Sequence, residues 1–325
     1  MSHFVIPNHT VVGTNVLGEA APLFKKMGNK AFIVTGRHVA VSDMMKQLTA
    51  LLDENGIGCV IFDGITGEPT DTMIENGVEM LKSSGCDFII GIGGGSPLDS
   101  AKAIAAMAVN EGSIADYNGK EITGEILPLA AIPTTAGTGS EATKFTVITD
   151  SEKGIKMLLK GDVLVPKLAI VDSSFTVGAP KSVTSATGLD ALTHAVEAYT
   201  SRKAFSMTDT LAVSAVKRIM KYLPIAYKEP DNSLAREQMS VAALEAGICI
   251  NNSSVTIVHG MSRPIGALFH VPHGMSNAML LKECLSFAVS GAYEKFANLG
   301  RETGVASDSD LSLIHISEPT RRVVI

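Results

Sequence analysis

The sequence predicts an α/β region built on a parallel sheet, followed from about residue 180 by a region of helices. Three observations carry this. First, short apolar runs alternate with amphipathic stretches: residues 31–35, 57–63 and 87–91 read as buried strands, and 39–53 and 71–83 as helices. That alternation implies parallel pairing through right-handed crossovers, with helices on the sheet faces. Second, beyond Pro180 strand signals thin out, and 182–201, 207–222, 233–249 and 276–287 all show helical periods. Third, 325 residues with 46% hydrophobic content and 30 glycines are enough for two cores joined by many tight turns.

Composition excludes several function classes. A formal net charge of -6 and the lack of any basic stripe argue against a nucleic-acid partner. Cys59, Cys86, Cys249 and Cys284 are scattered without C-x-x-C spacing, as expected for reduced core residues of a cytosolic protein. No basic segment precedes an apolar run at the N-terminus, and no apolar run reaches the ~18 residues of a membrane span. The expected location is therefore cytoplasmic, with no membrane partner.

The elements continue in order. After the third strand comes Gly93-Gly-Gly-Ser-Pro-Leu-Asp-Ser-Ala-Lys102. Three glycines let the backbone pass close to a ligand, Ser96 is a good N-cap and Pro97 suits a first helical turn. A glycine turn entering a helix N-terminus suits a phosphate, although a bare tight turn reads the same way and the spacing is not G-x-G-x-x-G. Residues 127–133 form another buried strand, closed by Thr134-Thr-Ala-Gly-Thr-Gly-Ser-Glu141, a loop dense in hydroxyls that either binds a polar ligand or is simply polar. Strands at 145–149 and 168–172 complete this region.

In the helical region, Gly188-Leu-Asp-Ala-Leu-Thr-His-Ala-Val-Glu-Ala-Tyr199 places Asp190 and His194 on one helix face. A carboxylate and an imidazole so placed suit a divalent ion if the fold supplies further ligands, or else form an ordinary surface hydrogen bond. His259 and His273 each sit beside glycine and near proline, at a helix end or turn, where capping histidines are also found. The end of the chain breaks the pattern. Residues 311–321, LSLIHISEPTR, resemble the in-frame translation of an adapter used in preparing sequencing libraries, so 311–325 is expected to be non-native and His315 to carry no role.

Four separated segments together resemble the iron-dependent (group III) alcohol dehydrogenase family: Gly91-Ile-Gly-Gly-Gly-Ser-Pro-Leu-Asp-Ser-Ala-Lys102, Ile132-Pro-Thr-Thr-Ala-Gly-Thr-Gly-Ser-Glu141, Thr187-Gly-Leu-Asp-Ala-Leu-Thr-His-Ala-Val-Glu-Ala-Tyr199, and Val258-His-Gly-Met with Pro272-His-Gly274. The likeness runs in order over residues 5–300. It implies an N-terminal dinucleotide-binding domain over 1–180, an all-helical, dehydroquinate synthase-like domain over 181–310 that is expected to be incomplete, and a metal in the cleft between them. Asp190, His194, His259 and His273 match the family's four ligands to Fe²⁺ or Zn²⁺. Gly93, Gly94, Gly95 and Ser96 would hold the pyrophosphate of NAD or NADP, with Asp99 in the same motif, and Thr134, Thr135 and Thr138 the rest of the dinucleotide. Lys156 resembles a family lysine near the ribose, and also reads as a solvated strand lysine. The implied activity is hydride transfer between NAD(P) and a short-chain alcohol, diol or its aldehyde. Relatives of this kind pair as dimers or assemble further.

Two departures from the family pattern carry consequences. The fourth residue after His259, often another histidine in the family, is Arg263, which stays charged and cannot relay a proton. Arg263 is therefore expected to bind a polar or anionic substrate group, with His270 as the alternative proton relay. Where NAD-preferring relatives place an aspartate after the first strand, this chain has Gly36 followed by Arg37. Without that carboxylate and with an arginine alongside, a 2′-phosphate is no longer repelled, so NADP is expected to serve at least as well as NAD, unless Arg37 is merely solvated. The competing readings are a glycerol dehydrogenase-like or dehydroquinate synthase-like relative, and a truncated, non-catalytic fragment.

Overall fold

The computed structural model describes residues 3–269 and 271–305. His270, the adapter-like stretch and His315 lie outside the described residues.

Strands and helices alternate through the first part of the chain, in the order β1 (His9–Gly13), α1 (Ala21–Met27), β2 (Lys30–Val34), α2 (Arg37–Ala40), α3 (Asp43–Glu54), β3 (Gly58–Phe62), α4 (Asp71–Ser84), β4 (Phe88–Gly93), α5 (Gly95–Met107), β5 (Leu129–Pro133), β6 (Phe145–Asp150), β7 (Ile155–Lys160) and β8 (Leu168–Asp172). Six of the strands form one parallel sheet, ordered β1-β8-β5-β4-β2-β3, and β6 and β7 form a separate antiparallel pair. The α/β fold class predicted from the alternation is what forms. Every residue of β4, β5 and β8 is buried, which is why these strands read as unbroken apolar runs. Strand β1 escaped the sequence reading because it lies at the sheet edge and most of its side chains meet solvent.

Two local expectations need correction. The helix expected over 39–53 is two helices, because Ser42 is extended and its hydroxyl accepts from the Met45 N–H at 3.4 Å, starting α3 afresh. Helix α5 is capped by Gly94, not by Ser96. Strand β4 ends on Gly93 at φ +147°, where a Cβ would lie 2.7 Å from the Pro97 ring, so the chain turns into the helix at once.

The remaining helices are α6 (Lys181–Thr200), α7 (Ser206–Lys228), α8 (Ser233–Asn252), α9 (Ile257–Phe269), α10 (His273–Ala288) and α11 (Tyr293–Glu302). Every residue of α6 from Gly188 to Tyr199 is buried, and Leu192, Val196, Ile219, Met239 and Leu285 belong to the core around it. Chain contacts divide the molecule into two compact units. The α/β unit comprises residues 5–134 and 140–175, whereas 135–139 and the chain from Thr176 onward group with the helical unit. All four cysteines are free. Among the described residues no single helix is long and apolar enough to cross a membrane.

Candidate metal centre and glycine turn

Helix α6 supplies the first two side chains of a polar cluster inside the helical unit. Asp190 and His194 both point inward and are buried, and His194 Nε2 lies 3.8 Å from Asp190 Oδ1. His259, third residue of α9, is 2% exposed and brings its Nε2 to 3.5 Å from the same oxygen. His273 opens α10 and places Nε2 3.7 Å from it. A Cβ on Gly274 would stand 2.3 Å from the Ala186 carbonyl oxygen, so glycine is what lets α10 begin against α6 and carry His273 this far.

Three histidines thus converge on one carboxylate oxygen. Asp190, His259 and His273 each offer a ligand atom within 4.8 Å of the others, and His194 stacks on His259 with ring centroids 4.6 Å apart. The Asn277 side-chain amide sits at the point of convergence, its nitrogen 2.7 Å from Asp190 Oδ1, 3.1 Å from His259 Nε2 and 3.3 Å from His273 Nε2. Electron-pair donors gathered round a partial positive charge are what a bound cation requires. Asn277 Oδ1 and His194 Nδ1 are buried without a hydrogen-bond partner among the described residues. One hard oxygen with borderline imidazole nitrogens fits a divalent ion of the iron or zinc type.

The charges of Asp190 and His194 agree with that fit. Burial alone would raise the Asp190 pKa, but the neighbouring histidines hold it well below the usual carboxylate range, so it is ionised. Burial pushes His194 down to about 4, leaving its imidazole neutral near pH 7. His259 is raised, because hydrogen bonds and charge from Asp190 and Glu197 outweigh its burial.

Glu197 and Asn277 were missed as functional residues in the sequence. Glu197 is fully buried, and its Oε2 accepts from His259 Nδ1 at 2.5 Å. Its Oε1 accepts from the Val258 N–H at 2.7 Å and the Thr256 hydroxyl at 2.8 Å. A signal existed: Glu197 lies seven residues after Asp190 and three after His194, on the same helix face. Asn277 likewise follows His273 by four. Arg263 is half-buried one turn beyond His259; burial lowers its pKa, Glu197 opposes this, and the guanidinium stays charged.

In the α/β unit, the chain leaves β2 toward β3 on one side and returns to β4 on the other, so the order reverses between β2 and β4. Ligands of doubly wound sheets bind at such switch points, beyond the carboxyl ends of the strands. Here those ends carry Gly36-Arg37 and Gly93-Gly-Gly-Ser96, tied together by Thr35 Oγ1 donating to the Ile92 carbonyl at 2.8 Å. Arg37 is exposed at the start of α2, and Thr134 N donates to the Gly93 carbonyl at 2.9 Å. Thr135 and Thr138 belong to the 135–139 stretch of the helical unit.

Two other candidates have their heads engaged. Lys156 Nζ pairs with the exposed Glu68 at 2.6 Å. Asp99 accepts from the Ser140 hydroxyl at 2.6 Å and the Val147 N–H at 2.8 Å, both inside the α/β unit. Beside it, Lys102 is completely buried and donates to Ser140 Oγ, Thr143 Oγ1 and the Phe145 carbonyl at 2.8, 3.0 and 2.8 Å.

Comparison with known proteins places this geometry in context. A family model described as iron-containing alcohol dehydrogenase matches residues 7–173, and the C-terminal model of the same family matches 184–314. The chain is 37% identical over 306 residues to the NAD-dependent methanol dehydrogenase of Bacillus methanolicus, covering 94% of this chain and 80% of that protein. It superposes on a solved 1,3-propanediol oxidoreductase with a TM-score of 0.94 at 35% identity, covering 100% of this chain and 85% of that one. It also superposes on the sulfoacetaldehyde reductase of Bifidobacterium kashiwanohense solved with NAD⁺, with a TM-score of 0.92 at 29% identity and 99% and 85% coverage.

Proposed function

The chain belongs to the iron-containing alcohol dehydrogenase family and is an oxidoreductase using a nicotinamide dinucleotide and a metal; from that premise we propose that it reduces short aldehydes and oxidises the corresponding alcohols or diols, with NADP accepted at least as well as NAD. The observation that carries the site assignment is the convergence of His194, His259 and His273 on Asp190 Oδ1. These four residues would hold the ion, Fe²⁺ or Zn²⁺. Bound there, it supplies Lewis acidity toward the substrate oxygen, while the nicotinamide supplies or accepts the hydride.

The chain's own residues prepare that chemistry. Glu197 holds the proton of His259 on Nδ1, which leaves the Nε2 lone pair directed toward Asp190. The Val258 N–H and Thr256 hydroxyl keep the Glu197 carboxylate from rotating away. In the α/β unit, the first-turn N–H groups of Gly95 and Ser96, which an α-helix leaves without intrahelical partners, would receive the pyrophosphate at the positive end of α5, with Gly93 and Gly94 giving close backbone approach. Gly36 leaves room beside the ribose, and Arg37 offers a cation to a 2′-phosphate. Thr134, Thr135, Thr138 and Lys156 complete the proposed dinucleotide set. Asp99 is proposed in the same set, its carboxylate held by the Ser140 hydroxyl and the Val147 N–H. Arg263 receives a polar group of the substrate, and His270 is proposed as the proton relay.

The test is anaerobic oxidation of NADH and NADPH with a panel of short aldehydes, on protein stripped of metal and then reloaded with Fe²⁺ or Zn²⁺. Turnover is expected to vanish on chelation and return with either ion. Full activity of the metal-free protein would refute the site. A kcat/KM about tenfold higher with NADH, about 1.4 kcal/mol, would refute the NADP assignment.

A further inference from the structure

Helix α8 carries a second cation that the proposed chemistry does not use. Arg236 is 4% exposed, and its guanidinium makes two contacts: Nε donates to the Pro230 carbonyl at 2.7 Å and Nη1 to Thr184 Oγ1 at 3.0 Å. Nη2 is buried and has no hydrogen-bond partner among the described residues. The opposing charge that reaches this arginine comes from Asp231, which is itself exposed. A buried guanidinium whose counter-charge is exposed to solvent and whose Nη2 has no partner is costly, and a structure keeps one where something compensates it.

Arg236 lines a small pocket within the helical unit, together with Thr135, Thr176, Thr184 and Thr187 and apolar side chains that include Val183 and Met239. No acidic side chain lines it. The Thr187 hydroxyl already donates to the Val183 carbonyl at 2.9 Å, but Thr184 Oγ1 accepts from Arg236 and so keeps its own O–H for the pocket. Arg236 Nη2 and the Thr184 O–H are thus two donors facing a small space that suits a monatomic anion.

We propose that this pocket is a halide site, in which a chloride ion accepts hydrogen bonds from Arg236 Nη2 and the Thr184 hydroxyl. The ion adds to Asp231 in neutralising the buried guanidinium and links α6 to α8. A water molecule satisfies the hydrogen bonds but adds no negative charge, so the two occupants are separable by experiment.

Bromide is the probe. Crystals of the full chain grown in sodium bromide are expected to show an anomalous peak within hydrogen-bonding reach of Arg236 Nη2. In solution, the melting midpoint of wild type should rise saturably as sodium gluconate is replaced by sodium chloride at constant ionic strength. Arg236→Met should lose that anion dependence, and Thr184→Val should weaken the apparent halide affinity about tenfold. Should Arg236→Met not fold, Thr184→Val and the bromide peak decide. Equal midpoints in chloride and gluconate, with no anomalous peak in the pocket, would overturn the proposal in favour of water.

Discussion

His259→Ala should lower metal-supported aldehyde reduction by at least about 10³-fold, about 4 kcal/mol of barrier, in protein that still melts cooperatively. The substitution removes one nitrogen donor from a cluster whose members share a single carboxylate oxygen. It also strips Glu197 of its imidazole partner while leaving that carboxylate bonded to Val258 and Thr256. Glu197→Gln provides the graded control: His259 and its Nε2 remain, but the group that fixes the ring and its tautomer is weakened. Metal affinity should fall about 10- to 100-fold, with kcat recovered by excess metal. Excess metal should not rescue His259→Ala. Activity of the alanine variant within tenfold of wild type, at unchanged metal content, would remove His259 from the centre.

Lys102→Met should destabilise the α/β unit by about 3–5 kcal/mol while leaving the metal-binding residues intact. All three ammonium protons of Lys102 are used, by Ser140, Thr143 and the Phe145 carbonyl, and Ser140 passes the linkage on to Asp99. Methionine fills the space but leaves those oxygens without their donor and Asp99 without its nearby cation. The pH dependence distinguishes this from simple loss of packing. Burial lowers the Lys102 pKa from 10.5 to about 8, against the opposing charges of Asp99 and Glu141. Between those values the unfolded lysine keeps a proton that the folded one has shed, so the native state gains stability as pH rises. The gap between wild type and variant should therefore widen from about pH 8 to 10.5. A difference under about 1 kcal/mol, constant across that range, would show that the network does not anchor the unit.

The glycine turn and the ligand candidates were legible because their signals are local. Asp190 and His194 share a face by helical spacing alone, and Gly93-Gly-Gly95 announces a tight entry into a helix. Other features were hidden for identifiable reasons. Strand β1 is too exposed to show a buried-strand pattern. Glu197 sat in plain view on the ligand face, but a glutamate in a helix is ordinarily solvated, and nothing local showed that His259 would arrive 2.5 Å away. Asp99, grouped with the dinucleotide motif, has its carboxylate taken up by Ser140 and Val147, a pairing that sequence spacing does not reveal.

By itself, then, the sequence determined the parallel α/β region, the helical region after Pro180, the family and the identity of the ligand candidates, because periodicity and motif chemistry act over a few residues. Tertiary structure decided which atoms meet. The 3.5–3.7 Å approaches of His259 and His273 to Asp190 Oδ1, the Glu197 clamp on His259 and the Arg236–Thr184 contact all join helices far apart in the chain. Close packing between those helices sets such distances, and no spacing along one helix encodes them.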